Sequence, residues 1–175
     1  WTNGDPVTAH DFVYAWQRIF RKKGSYYYMF ADGIASIEGA QELSDKIDAG
    51  EELTDDDLNS MGVKAIDDYT LEVKTTVRVS FFDELMAFPC FFLINEKFCE
   101  KQGDKYGKSA KAILGNGAFI MTNWEPGSVV EFEKNESYYD QKHVKLNKLV
   151  MKLVQNPKVA AQSFMAGETD YAPIN

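Results

Sequence analysis

The residues best suited to nucleophilic, acid–base or metal chemistry in this 175-residue chain are two histidines, His10 and His143, and two cysteines, Cys90 and Cys99. The histidines stand far apart, and His10 falls on the side of a helical pattern away from Phe12 and Trp16, where solvent is expected. Both cysteines sit in apolar surroundings, Pro89-Cys90-Phe91-Phe92 and Lys97-Phe98-Cys99. Buried thiols are therefore expected rather than a disulfide, and no C-x-x-C or Cys/His spacing suggests a metal. No G-x-S-x-G, phosphate-binding loop, dinucleotide fingerprint or H-E-x-x-H is present. Carboxylate pairs (Asp67/Asp68, Asp83/Glu84, Glu131/Glu133) arise readily by chance among 27 acidic residues. A glycosidase dyad is defined by spatial distance, which position along a chain does not fix. The run Asp55-Asp56-Asp57 lacks the alternating ligands and closing Glu of a calcium loop and reads as the acidic first turn of a helix. The chain therefore reads as a binding protein: not an enzyme, with no cofactor and no metal.

A binding protein needs shape, and the residues that could supply it are aromatic. Tyr26-Tyr27-Tyr28-Met29-Phe30 places five bulky side chains in a row. They cannot all face one core in a helix or a strand. The run is either a short helical turn packed on two sides or the aromatic wall of a cleft, since tyrosine carries both an apolar face and a hydroxyl.

The elements around it are legible. Asn3-Gly4 and Asp5-Pro6 make a turn, Thr8 caps a helix with Asp11 in its first turn, and Phe12, Val13, Trp16, Ile19 and Phe20 form one apolar stripe. Ile34, Ile37, Ala40, Gln41 and Leu43 suggest a second helix, and Thr54 caps a third that ends near Gly62. Val63–Ile66 and Thr70–Lys74 read as a hairpin, and Ser80–Ala87 as a short helix packing Phe81, Phe82, Leu85 and Met86. The continuous apolar run Phe88–Ile94 predicts a strand buried on both faces, with a subdomain boundary at its end. Asn95–Gly107 reads as an amphipathic helix, Gly117–Trp124 and Val129–Lys134 as a hairpin, and Leu149–Val154 as a strand. Asn156-Pro157 opens a helix stopped by Gly167, with Ala160, Ala161 and Phe164 on its apolar face. Asp170-Tyr171-Ala172 looks like the start of one more strand.

The net charge of −8, with no Lys/Arg stripe, excludes nucleic acid and anionic lipid as partners. No stretch of about 18 apolar residues is present to span a membrane. The chain opens at Trp1 without a signal peptide, as a piece cut from something longer is expected to.

Five segments, in order, resemble the extracellular solute-binding proteins of oligopeptide ABC transporters. Trp1–Phe12 is similar to that family's W-[ST]-N-G-x-P-[VL]-T-A-x-D-[FV] segment, and Gly62–Val73 to its G-V-[KE]-A-x-D-D-x-T-[LV]-x-[VI] hairpin. Asn116–Phe119 with Trp124, Lys134–Asp140 and Phe164–Asp170 resemble three further family motifs. The resemblance implies an α/β fold with a mixed sheet and flanking helices, part of a two-lobed, class II periplasmic-binding-protein-like architecture. Residues 1–94 would belong to an auxiliary subdomain of the first lobe and 95–175 to part of its main subdomain, with the second lobe absent. It further implies a monomeric, lipid-anchored or periplasmic receptor that captures oligopeptides outside the membrane and delivers them to an ABC permease. Relatives of this fold also carry dipeptides, nickel complexes, sugars or signalling peptides; an extracellular hydrolase is the reading from another class. Carried over by position, the implied ligand-binding residues are Tyr26, Tyr28, Phe88 and Asn175.

Overall fold

The computed structural model describes residues 1–173, which divide into two compact units. The first comprises Trp1 and Asn3–Gly103, the second Thr2 and the residues from Asp104 onward.

Helix α1 (Ala9–Arg21) organises the first unit. Its start is fixed by Thr8, whose N–H donates to Asp11 Oδ2 at 2.9 Å, and Arg18 and Arg21 occupy the last turn near the negative end of the dipole. Trp16 and Phe20 are wholly buried, with Phe12, Val13 and Ile19 packed against the same core. Their rings interlock edge to face. Trp16 lies 5.5 Å from Phe30 and 5.8 Å from Phe91, Phe20 lies 5.5 Å from Phe30, and the Trp16 indole N–H donates to the Phe91 carbonyl at 3.0 Å.

The second helix is shorter than the apolar spacing predicts. Ser36 has φ +49° and Gly39 φ +78°, so α2 begins only at Ala40 and runs to Asp48, while Ile37 bridges to Thr75. Gly39 is required twice over, because a Cβ there would also stand 2.9 Å from the Ser60 carbonyl oxygen. Helix α3 (Asp55–Asn59) carries the acidic run as its first turn under the Thr54 cap. Strands β1 (Val63–Asp67) and β2 (Thr70–Val73) pair antiparallel. Helix α4 (Phe82–Leu85) turns Phe82 and Leu85 toward the core, with Met86 beside them, and leaves Phe81 exposed.

The expected strand at Phe88–Ile94 is not formed. Pro89 has no N–H for a ladder and a fixed φ, and it opens a 3-10 turn, Pro89–Phe91, instead. Only Phe91 is buried, whereas Phe92 on the next position is 52% exposed. Helix α5 (Glu96–Gln102) follows, capped by Asn95 Oδ1 accepting from Phe98 N at 2.7 Å and halted at Gly103, φ +53°. It ends short of the expected Gly107. It belongs to the first unit: the Tyr14 hydroxyl on α1 donates to Glu100 on α5, and the division between units falls after Gly103.

The second unit is a three-stranded antiparallel meander, β3 (Phe119–Glu125), β4 (Val129–Lys134) and β5 (Lys148–Lys152), with β4 in the centre. Helix α6 (Pro157–Met165) follows, capped by Asn156 Oδ1 accepting from Lys158 N at 2.9 Å and stopped at Gly167, φ +74°. Residues 170–173 form no strand, contrary to the sequence pattern, and Tyr171 is 80% exposed. An extended segment without a neighbouring strand has nowhere to place its backbone hydrogen bonds except water.

Candidate binding surface

The tyrosine run resolves into a two-sided turn by its helical period. Tyr27–Phe30 is a 3-10 helix with three residues per turn, so residues three apart share a face. Tyr27 and Phe30 therefore point the same way. Phe30 is wholly buried, and Tyr27 stacks 6.1 Å from Phe20 while its hydroxyl donates to Asp48 at the end of α2. That carboxylate and partial burial raise the Tyr27 hydroxyl above its ordinary pKa, keeping it protonated as a donor. Tyr26 and Tyr28 are left outside at 47% and 48% exposure.

Those two tyrosines meet a third ring from a distant part of the chain. Tyr26 stands 5.4 Å from Phe88 at 71° and 6.3 Å from Tyr28 at 38°. Phe88 is 38% exposed and holds the extended conformation that precedes Pro89. Three of the four residues named from sequence thus form one solvent-facing aromatic wall. The fourth, Asn175, lies outside the described residues. The Tyr27–Asp48 anchor that holds the wall escaped sequence reading; a three-residue period within the tyrosine run was the only signal for it.

The wall can present ring faces, ring edges and hydroxyls, which suits binding and not bond-making. It lies apart from two grooves of about 490 and 410 Å³. The first is lined by His10, Lys64, Glu72 and Lys74 among others, the second by Tyr14, Arg18, Arg21 and Glu100 among others.

His10 is exposed and lies 3.6 Å from Asp68, and His143 pairs with Asp140 at 2.6 Å. Cys90 and Cys99 are free thiols; burial pushes the Cys90 thiol up to about 11, well away from a reactive thiolate. Asp67 accepts from Tyr69 N at 2.9 Å, a bond that holds its carboxyl below the usual range, and Glu131 lies 3.3 Å from Lys148. Among the described residues no three His, Cys, Asp or Glu side chains stand together as metal ligands, and no helix is long and apolar enough to cross a membrane.

The opening motif is a structural clasp. Asp11 is buried, and its Oδ2 accepts from Thr8 N and from the Trp1 indole N–H at 3.1 Å. Asp5 accepts from Asn3 at 2.7 Å and from Asn95 at 3.2 Å, and these bonds, led by Asn3, hold its carboxyl below the ordinary value. Asn95 in turn caps α5, so the turn, α1 and α5 are tied through two carboxylates.

The whole chain, residues 1–175, matches the model of the bacterial extracellular solute-binding proteins, family 5. It is similar to the oligopeptide-binding protein OppA of Bacillus subtilis, 36% identical over 98% of this chain and 30% of that protein. It is also similar to the dipeptide-binding protein DppE of Bacillus subtilis, 35% identical over 99% of this chain and 30% of that protein. Among solved structures, Haemophilus influenzae OppA in complex with the peptide RPPGFSPFR superposes with a TM-score of 0.82 at 32% identity, over 96% of this chain and 31% of that one. The chain thus spans about a third of the length of the proteins it matches.

Proposed function

The chain belongs to the bacterial extracellular solute-binding proteins of family 5, and we propose that it acts within the substrate-binding component of an ABC importer. In this reading the receptor captures oligopeptides outside the cell and delivers them to the membrane permease without covalent chemistry. It works as a lipid-anchored or periplasmic monomer. Residues 1–94 serve as an auxiliary subdomain of the first lobe, and residues 95–175 as part of its main subdomain. Tyr26, Tyr28, Phe88 and Asn175 contribute to the peptide-facing side. The observation that carries the reading is the exposed convergence of Tyr26, Tyr28 and Phe88 in a chain similar throughout to oligopeptide-binding proteins. An exposed cluster of three rings costs solvation unless something covers it, and a peptide held against a second lobe is such a cover.

The receptor closes on its ligand as two lobes about a hinge, with binding energy drawn from both. Residues 1–175 alone supply one wall, so they are expected to bind oligopeptides weakly or not at all, whereas the whole receptor binds them. Titration of one peptide library against both preparations checks this; micromolar affinity in residues 1–175 alone overturns the two-walled trap. Mass spectrometry of ligand released from the purified receptor then identifies the cargo. Recovery of a sugar, a nickel complex or another non-peptide solute in place of peptides would sink the peptide reading.

A further inference from the structure

The aromatic wall has a chemistry more specific than apolarity. Its three rings come from two separate parts of the chain and meet at centroid distances of 5.4 and 6.3 Å, within the range of aromatic pairing. The Tyr26–Phe88 pair is edge to face, so each ring leaves part of a face or an edge open to solvent. The wall is also pre-formed. Tyr27 and Phe30, on the opposite side of the same 3-10 turn, are held by Phe20, Asp48 and the core, so the backbone that carries Tyr26 and Tyr28 is anchored before a ligand arrives.

The hydroxyls add a second property. Tyr14 and Tyr27 donate theirs to Glu100 and Asp48, whereas those of Tyr26 and Tyr28 make no hydrogen bond among the described residues. The wall therefore offers open ring surface bordered by two uncommitted donors. Among the described residues neither hydroxyl is bonded to a carboxylate, unlike those of Tyr14 and Tyr27.

Resting on the peptide-capture reading above, we propose that Tyr26, Tyr28 and Phe88 form a subsite selecting an aromatic side chain of the bound peptide. The guest ring continues the edge-to-face packing, and the free hydroxyls bond the peptide main chain beside it. An aliphatic side chain of equal size buries the same area but has no ring quadrupole to match the wall.

The test uses the full-length receptor and alanine pentapeptides carrying phenylalanine, cyclohexylalanine or lysine at each position in turn, with affinities read by calorimetry. At one position phenylalanine is expected to bind roughly two- to tenfold tighter than cyclohexylalanine. In the variant carrying Tyr26→Leu and Phe88→Leu, which keeps apolar bulk but removes two rings, that ratio is expected to fall to about one. Because both side chains stand at the surface of the unit, an unchanged Tm is expected to accompany the loss. Binding without a phenylalanine preference at any position, a preference for lysine at the responding position, or a ratio that survives in the variant overturns the subsite and leaves peptide capture standing. Failure of every peptide to bind the parent receptor overturns both.

Discussion

Asp11 and Asp57 show how this acidic chain keeps carboxylates useful. Asp11 is buried, yet its Oδ2 accepts from both the Thr8 N–H and the Trp1 indole N–H, so the cost of removing it from water is offset by hydrogen bonds. Thr8 as the cap and Asp11 in the first turn were legible in the sequence because both are local to the start of one helix. The Trp1 bond spans ten residues through a turn, which no local pattern encodes. Asp57 accepts from Lys46, from Thr54 N at 2.8 Å and from Thr54 Oγ1 at 2.8 Å. Led by the Lys46 bond, these interactions lower its carboxyl from 3.8 to about 2. A carboxylate depressed in the folded state stabilises the fold above its unfolded value and loses that contribution as pH falls from about 4 through about 2. Asp57→Asn is therefore expected to lower Tm at neutral pH and to flatten its decline between pH 4 and pH 2. Melting the parent and the variant across that range checks it; parallel curves would mean that Asp57 contributes no acid sensitivity. The site residues divide along the same line. The crowded run showed only that some of its rings must lie outside, and Tyr26 and Tyr28 in particular were named through family resemblance. That Phe88 is their neighbour is a long-range contact that no local pattern encodes; family resemblance placed Phe88 only among the ligand-binding positions.

Among the elements, α1, the β1–β2 and β3–β4 hairpins and α6 were readable because their start and stop residues carry local mechanisms: Thr8, Asp67-Asp68, Pro126-Gly127, Asn156-Pro157. The Phe88–Ile94 run was misread because hydrophobicity without a period does not separate a buried strand from a turn that leaves alternate rings outside. Pro89 decides the matter by withholding a ladder donor. The core then fixes which ring goes in: Phe91 packs 4.6 Å from Phe30, and its carbonyl accepts from Trp16. Two neighbouring phenylalanines thus have opposite fates, and that difference can be measured. Phe91→Ala is expected to cost about 3–5 kcal/mol, as for other buried aromatic truncations. Phe92→Ala, at 52% exposure, is expected to cost less than about 1 kcal/mol. Urea unfolding of both variants distinguishes the turn from a strand buried on both faces, in which the two costs would be comparable and both large.

At the scale of the molecule, hydrophobic burial is unevenly shared between the two units. Apart from Ala112, every buried apolar residue among those described lies between Ala9 and Cys99, so the first unit holds the aromatic core around Trp16, Phe20, Phe30 and Phe91. In the second unit Val150, Met151, Leu153, Val154, Phe164 and Met165 are all exposed, and among the described residues β5 is an edge strand paired only with β4. This explains why α6 has its predicted ends yet leaves Phe164 outside: caps and stops are written locally, whereas burial needs a neighbour. A sheet stabilised mainly by its own ladders opens more easily than one packed on a core, because local opening exposes little new apolar surface. Amide exchange in the 175-residue chain is therefore expected to be slow in α1 and at the Tyr27–Phe30 turn and faster across β3, β4 and β5. Within the whole receptor proposed above, the remaining chain is expected to cover the apolar residues of β5 and α6 and to slow exchange there by at least about tenfold, equivalent to roughly 1.4 kcal/mol of added local stability. Exchange followed by mass spectrometry on both preparations provides the comparison. Equal exchange at β5 in the two would mean that its apolar side chains stay uncovered in the receptor, and that residues 95–175 do not serve as part of a larger subdomain.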